Sequence, residues 1–176
     1  MIYIQDQLAV RLTLPKRWLL AGLCVAYGAS AVAATATGVM SVSATVASTC
    51  VVGTSTLGFG SVSSAAIQAG NVDATGTVTV NCTTGSSYTI ALATGGGLGA
   101  TLASRKMTSG ANLLNYSIYT SAARSTVWGD GTLASATMAG TGSGTSQSVV
   151  AYGRIFSGQT VPAGAYTDTV TVTVAY

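Results

Sequence analysis

Polar and apolar residues alternate with a period of two through the C-terminal stretch, residues 165–176. Val170, Val172, Val174 and Tyr176 fall on one face, and Thr or Ala residues lie between them. This alternation predicts a half-buried β-strand. No sequence follows to supply a neighbouring strand, so we expect one edge to stay open. These four residues are therefore the predicted edge of an acceptor groove for a strand from another molecule.

An upstream segment, residues 38–47, has the same period. Its residues Met40, Val42, Ala44 and Val46 share one face, with Ser or Thr between them. We predict that this segment, within residues 34–49, is a donor strand given to the next subunit. The alternative is an ordinary first strand in the sheet of its own chain.

The N-terminal region has the pattern of a secretory signal peptide. Lys16 and Arg17 precede a short apolar run, residues 18–27, and Ala-x-Ala sites follow at residues 31–33 and 34–36. We predict a signal peptide over residues 1–33, cleaved near Ala33 to Ala36. A transmembrane anchor is the alternative, but the run is shorter than the ~20 residues that a membrane span needs.

Removal of this signal changes the charge balance. The precursor has a net charge of +3, whereas cleavage after Ala33 leaves four basic and three acidic residues, a net charge of +1. No basic stripe remains to indicate binding to nucleic acid. The remaining length suits one domain, predicted over residues 50–176.

Cysteine usage agrees with export. Cys24 lies in the predicted signal, so Cys50 and Cys82 are left in the mature chain. An even count in a small secreted domain favours a disulfide. Two buried thiols are the alternative.

The periodic segments of the mature chain predict an all-β fold. Short strands separated by Gly-rich turns indicate an antiparallel β-sandwich of immunoglobulin-like type. The predicted strands are residues 50–59, 75–82, 88–93, 102–108, 114–120, 148–156 and 166–176. No long stretch has helical spacing.

The sequence offers little for catalysis. It has no His, and its mature carboxylates, Asp73, Asp130 and Asp168, are far apart in sequence. Acid/base pairs and catalytic triads would need an unusual assembly, so we predict that the protein is not an enzyme. We expect no metal site and no cofactor, since the mature chain has neither His nor a CxxC motif.

Two further groups of residues have competing interpretations. The segment from Trp128 to Gly131, Trp-Gly-Asp-Gly, is either a tight turn beside a packed aromatic or a ligand contact. Tyr116, Tyr119 and Tyr152 either pack in the core or between subunits, or they form an exposed strip for sugars.

Taken together, short motifs along the whole mature chain resemble the spore coat protein U domain family, which includes secreted pilin subunits of archaic chaperone-usher pili. The motifs are Cys50-Val-Val, Leu57-Gly-Phe-Gly, Val80-Asn-Cys, Tyr88-Thr-Ile-Ala-Leu, Arg105-Lys-Met, Leu114-Asn-Tyr-Ser-Ile-Tyr, Trp128-Gly-Asp-Gly, Tyr152-Gly-Arg and Pro162-Ala-Gly-Ala-Tyr-Thr-Asp-Thr-Val.

The resemblance implies an incomplete immunoglobulin-like sandwich that lacks its final strand. A periplasmic chaperone would complete the fold first, and the donor strand of an identical or related pilin subunit would replace it at an outer-membrane usher. The resemblance also implies a disulfide between Cys50 and Cys82. The expected function is a surface pilus for adhesion and biofilm formation, reached through the periplasm. The alternative is a self-complete secreted β-sandwich that acts as a coat-layer or carbohydrate-binding protein.

Overall fold

The computed structural model of the protein describes residues 32–53 and 55–176. The predicted signal peptide, residues 1–33, lies outside the described residues apart from Val32 and Ala33. A division of the chain falls between Ser43 and Ala44, and the β-sandwich belongs to the second part.

The described residues of the second part form nine strands and one helix. They are β1 (Cys50–Val52), β2 (Thr56–Leu57), α1 (Ser64–Ala69), β3 (Val72–Cys82), β4 (Ser87–Leu92), β5 (Arg105–Ser109), β6 (Asn112–Tyr119), β7 (Met138–Thr141), β8 (Ser146–Ile155) and β9 (Val172–Ala175). None of the described helices is long and apolar enough to cross a membrane.

The strands form two antiparallel sheets. The larger sheet has six strands in the order β1-β3-β8-β6-β5, and β2 also pairs with β3. The smaller sheet has three strands in the order β7-β4-β9. Every pairing of these strands is antiparallel. The predicted all-β antiparallel sandwich is therefore confirmed.

The core lies between the two sheets and follows from the period of the strands. In β3, Val78, Val80 and Cys82 are buried, whereas Thr77 and Asn81 are exposed and Thr79 is half-buried. Because successive side chains of a strand point to opposite faces, one face of β3 packs inward and the other meets water. Ile90 and Leu92 of β4 cover the same core from the smaller sheet.

Several predicted boundaries were wrong. The predicted strand 50–59 is two short strands that end at Leu57, and the predicted strand 102–108 begins only at Arg105. The predicted strand 166–176 is a regular strand only from Val172 to Ala175.

Two elements were not predicted. Helix α1 is six residues long with one buried residue, Ile67, which is too short to show a helical period. The side chain of Ser63 caps its first turn by accepting from the main-chain N–H of Ala66 at 3.1 Å. Strand β7 contains only small residues after Met138, so its pairing with β4 rather than its own sequence defines it.

Candidate functional site: an open groove beside the last strand

The last strand, β9, lies at an edge of the smaller sheet. It pairs with β4 on one side, with Leu92 opposite Val172 and Thr89 opposite Ala175. Within residues 32–53 and 55–176, no strand pairs with its other side. The edge is therefore available to a strand from outside this part of the chain.

The register shows which main-chain groups face this open edge. The N–H of Ala93 donates to the main-chain O of Thr171 at 3.0 Å, and Ala91 lies opposite Thr173 two residues further along. In an antiparallel ladder, alternate residues exchange both hydrogen bonds with the partner strand. The main-chain groups of Val172 and Val174 therefore point away from β4, toward the open edge.

The side chains of the same segment keep the predicted alternation. Val170, Val172 and Val174 are half-buried against the core, whereas Thr171 and Thr173 are exposed. Tyr176 departs from this row, because it follows β9 and is 59% exposed. Three of the four predicted groove residues thus share the inward face, and Val170 reaches it from outside the regular strand.

A cavity of about 280 Å³ opens beside this row, between the residues before β9 and strand β2. Its floor is the inner face of the larger sheet, including Val78, Ile118 and Ala151. Thr56, Leu57 and Phe59 line one wall, and Tyr166, Asp168, Val170 and Val172 line the other. The cavity thus lies along the inward side chains of the segment that leads into β9.

Strand β1, at an edge of the larger sheet, is also partly uncovered on its core face. Val52 of β1 lies opposite Val80, which is fully buried, so both side chains lie on the core face of the sheet. Val52 is nevertheless 40% exposed. An apolar residue on the core face that remains in water indicates that this edge lacks a covering strand.

The segment that forms the groove wall passes from one sheet to the other. Thr167 exchanges two main-chain hydrogen bonds with Thr108 beside the larger sheet, at 2.8 and 3.0 Å. From Thr171 onward the bonds go to β4 of the smaller sheet. Asp168 and Val170 lie at this crossing, which explains why the regular strand starts later than the alternation does.

Asp168 is the charged residue of the groove wall, and its carboxylate is held from several sides. The hydroxyl of Tyr116 donates to it at 2.7 Å, and the N–H groups of Gly96 and Thr169 each donate at 2.8 Å. Burial of Tyr116, together with this hydrogen bond, raises the pKa of its phenol well above the usual range. Tyr116 therefore stays a neutral donor, and the carboxylate stays fixed in place.

Behind this cluster, Arg105 is fully buried. Its guanidinium donates to the main-chain O atoms of Ala93, Leu102 and Trp128, at 2.9, 3.1 and 2.8 Å. Desolvation lowers the pKa of this guanidinium from its ordinary value, although it remains protonated. Arg105 thus joins the end of β4, which carries β9, to two neighbouring loops.

Only weak signals in the sequence point to Asp168 and Arg105. Asp168 falls in phase with Val170 and Val172, and this spacing indicates that it lies on the inward face. Nothing in the local sequence distinguishes the buried Arg105 from a surface residue beside Lys106.

Cys50 and Cys82 form a disulfide in the structure. They are directly opposite each other, at the first residue of β1 and the last residue of β3. The bond therefore ties a three-residue edge strand to a long central strand at the point where the N-terminal segment joins the sandwich.

The predicted donor residues are all exposed. Met40 and Val42 are 87% and 85% exposed, Val46 is 89% exposed, and Ala44 is also in water. Residues 38–47 form no helix or strand in the single chain. Three large apolar side chains thus remain without cover in a segment that alternates like a strand.

Trp128, Tyr116 and Tyr119 pack in the core, whereas Tyr152 is half-buried. Trp128 is fully buried, and its indole N–H donates to the main-chain O of Ile90 at 2.9 Å. Tyr116 and Tyr119 are buried as well, so the exposed sugar-binding strip is wrong for them. In the described part of the chain, no three His, Cys, Asp or Glu residues lie close enough to hold a metal ion.

Comparison with known proteins agrees with this architecture. The family described as Spore Coat Protein U domain matches residues 36–173. No curated protein sequence matches the chain.

One similar solved structure is a complex from Acinetobacter baumannii: the CsuC–CsuE chaperone–tip adhesion subunit pre-assembly complex of archaic chaperone-usher Csu pili. Its matching chain superimposes with a TM-score of 0.54 at 22% sequence identity. The match covers 75% of this chain and 40% of that chain, so this chain spans well under half of the solved one. At this identity the likeness shows the fold.

Proposed function

Because the chain belongs to the Spore Coat Protein U domain family, we propose that it is a structural subunit of a chaperone-usher pilus that polymerises by donor-strand complementation. The observation that carries this proposal is the open groove beside β9, in a chain that also has an exposed alternating segment over residues 38–47. The subunit has a mechanical rather than a catalytic role.

The groove and the segment are complementary in chemistry. The main-chain groups of Val172 and Val174 face the open edge and can bond an added strand. The cavity beside them is lined mainly by apolar side chains, and the segment presents Met40, Val42 and Val46 on one face. Full burial of a Val or Met side chain contributes about 1.5–3 kcal/mol.

The segment of one copy would enter the groove of the next. Head-to-tail addition of this kind does not close on itself, so it produces a filament. In the proposed assembly, a periplasmic chaperone covers the groove first, and at an outer-membrane usher the donor strand of an identical or related subunit displaces it. The subunit would be exported through the periplasm after loss of residues 1–33, and the surface fibre would serve adhesion and biofilm formation.

The decisive experiment compares two carboxylates placed at neighbouring positions of the segment. Val42→Asp would bury an unpaired charge in the groove, at a cost of several kcal/mol, whereas Ser43→Asp would stay solvated. On an unheated denaturing gel, the parent and Ser43→Asp should form a ladder, and Val42→Asp should not. Equal ladders from both variants would exclude residues 38–47 as the donor strand.

A second test fills the groove within one chain. A copy of residues 38–47, joined after Tyr176 by a short flexible linker, should complete the sandwich and give a soluble monomer without a ladder. We call this form the self-complemented chain. The matched control carries Val42→Asp in the added copy only, and this control should still accept a donor strand from a neighbour.

The same gel distinguishes the proposed pilus subunit from the alternative, a self-complete secreted protein. A self-complete coat-layer or carbohydrate-binding protein would run as a lone monomer band in the parent form. For the role in biofilm, cells that produce Val42→Asp subunits should adhere no better than cells without the gene, whereas Ser43→Asp should adhere like the parent.

A further inference from the structure

We call the groove wall formed by residues 166–174 the acceptor wall. Its inward-facing row of side chains is apolar except for one charged residue. Inward-facing, half-buried residues alternate with exposed threonines from Tyr166 to Val174. The inward residues are Tyr166, Asp168, Val170, Val172 and Val174. An added strand would cover this row, and with it a carboxylate.

The carboxylate of Asp168 cannot easily move aside. It accepts from the hydroxyl of Tyr116 at 2.7 Å and from the N–H of Gly96 at 2.8 Å. Three donors, including the N–H of Thr169, satisfy its oxygens, which lowers the cost of covering it. A bulky apolar side chain against it would still crowd a fixed polar group and remove its remaining water. A small side chain is therefore favoured opposite Asp168.

The donor segment has one small residue on its apolar face. Met40, Val42 and Val46 are large, and Ala44 is the exception. The cavity runs along the acceptor wall from Tyr166 to Val172, a span of seven residues, and the apolar face of the donor runs over seven residues from Met40 to Val46.

We propose that Asp168 fixes the register of donor-strand exchange by lying opposite Ala44 of a second copy, an inference that rests on the proposed function. The donor runs antiparallel to the acceptor wall. Met40 then lies opposite Val172, and Val46 lies opposite Tyr166. In this register every inward residue of the donor meets an inward residue of the wall.

The other alignments place a branched side chain against the carboxylate. A shift of two residues brings either Val42 or Val46 opposite Asp168, depending on its direction. A parallel alignment over the same seven residues also brings Val42 there. In addition, every strand pairing of the sandwich is antiparallel, and antiparallel pairing is slightly more stable per residue.

Cysteine pairs test the register in the full chain. Residues directly opposite each other lie within disulfide reach, whereas pairs shifted by two residues exceed the limit of about 7 Å between Cα atoms. Met40→Cys with Val172→Cys should give a ladder that survives boiling without reductant and collapses with it. Val42→Cys with Val172→Cys tests the shift that places Val46 opposite Asp168, and Val46→Cys with Val172→Cys tests the parallel alignment. Both should give only the heat-sensitive ladder, as should Val172→Cys alone.

These cysteine pairs test the proposed register separately from the proposed function. A covalent ladder from either alternative pair overturns the register while leaving donor-strand exchange intact. No heat-sensitive ladder in the parent would remove the proposed function itself.

A size swap tests the role of Asp168. Ala44→Leu should lower the polymerised fraction by about tenfold or more, because the added methyl groups meet a wall position that is already filled. Adding Asp168→Ala to the same chain should restore polymerisation to within about threefold of the parent. Ala44→Val with the native Asp168 should fall between these results.

Two outcomes contradict the assignment of Asp168. Polymerisation of Ala44→Leu at the parental level would show that the opposing position is empty. The second outcome needs Asp168→Ala alone to polymerise. If the double variant Ala44→Leu with Asp168→Ala then still fails to polymerise, a residue other than Asp168 limits the space. If Asp168→Ala alone does not fold, the cysteine pairs still decide the register.

Discussion

Arg105 and Trp128 meet inside the sandwich, where the guanidinium of Arg105 donates to the main-chain O of Trp128 at 2.8 Å. Both side chains are fully buried. The indole N–H of Trp128 in turn donates to the main-chain O of Ile90 in β4. Because β4 carries β9, this pair supports the strand at the edge of the groove from behind.

We predict that Arg105→Met destabilises the self-complemented chain by about 2–4 kcal/mol, since it leaves several buried carbonyls without a donor. Urea unfolding followed by Trp fluorescence measures the loss. Arg105→Lys should recover little of it, because a single ammonium cannot reach carbonyls in three directions. Lys106→Met is the matched control at the neighbouring, partly exposed position, and its midpoint should stay close to that of the parent. An Arg105→Met midpoint equal to that of Lys106→Met would contradict this role.

The disulfide supplies the second prediction. Alkylation of the mature protein without reductant should leave Cys50 and Cys82 unmodified, as mass spectrometry would show. Replacing both by Ser should lower the free energy of unfolding of the self-complemented chain by about 3–4 kcal/mol, in the chain-entropy model for a loop of this size. Alkylated cysteines in the untreated protein would contradict the pairing.

The period-two segments made most of the sandwich predictable. Val78 and Val80 in β3 and Val172 and Val174 in β9 face the core as their alternation indicates. Burial of apolar side chains drives this part of the fold, and the alternation of apolar and polar residues indicates which side chains are buried.

Other features depend on partners that are distant in sequence. Strand β7 exists because Gly140 lies opposite Tyr88, and β9 starts late because the chain before it pairs with Thr108 on the other sheet. The cluster at Asp168 needs Tyr116 and Gly96, which are 52 and 72 residues away. No local pattern encodes such contacts, so neither Asp168 nor Arg105 could be given a role from sequence alone.

The outer face of the larger sheet gives a prediction about pH. The side chain of Arg154 makes two hydrogen bonds to Asp73, at 2.7 and 2.9 Å, and Arg124 lies 3.2 Å away on the same carboxylate. The hydrogen bond from Arg154 lowers the pKa of Asp73 below its usual value. A carboxyl group with a lowered pKa in the folded state stabilises the fold at neutral pH, and this contribution is lost as the pH falls through that pKa.

Asp73→Asn should therefore destabilise the self-complemented chain at pH 7, and by less than about 1 kcal/mol because the carboxylate is partly exposed and screened. The difference from the parent should shrink as the pH falls below about 4, where the Asp73 carboxyl of the unfolded parent chain begins to take up a proton before that of the folded chain. Urea midpoints measured from pH 7 down to pH 3 test this. A difference that stays constant over that range would mean that the charge of Asp73 does not contribute.

We predict last that the open groove makes the subunit dependent on a chaperone. Val52 on one rim and the row from Val170 to Val174 on the other leave apolar surface in water, next to an unpaired strand edge. Surfaces of this kind lead to aggregation or degradation. Expressed in the periplasm alone, the parent chain should therefore accumulate at a level about tenfold or more below that reached with its chaperone.

The self-complemented chain should accumulate without the chaperone, and its control with Val42→Asp in the added copy should again need it, because only a filled groove removes the exposed surface. Fractionation and immunoblotting measure these levels. A parent chain that stays a soluble monomer without any chaperone, at the level of the self-complemented chain, would show that the sandwich is already complete and that the groove needs no strand.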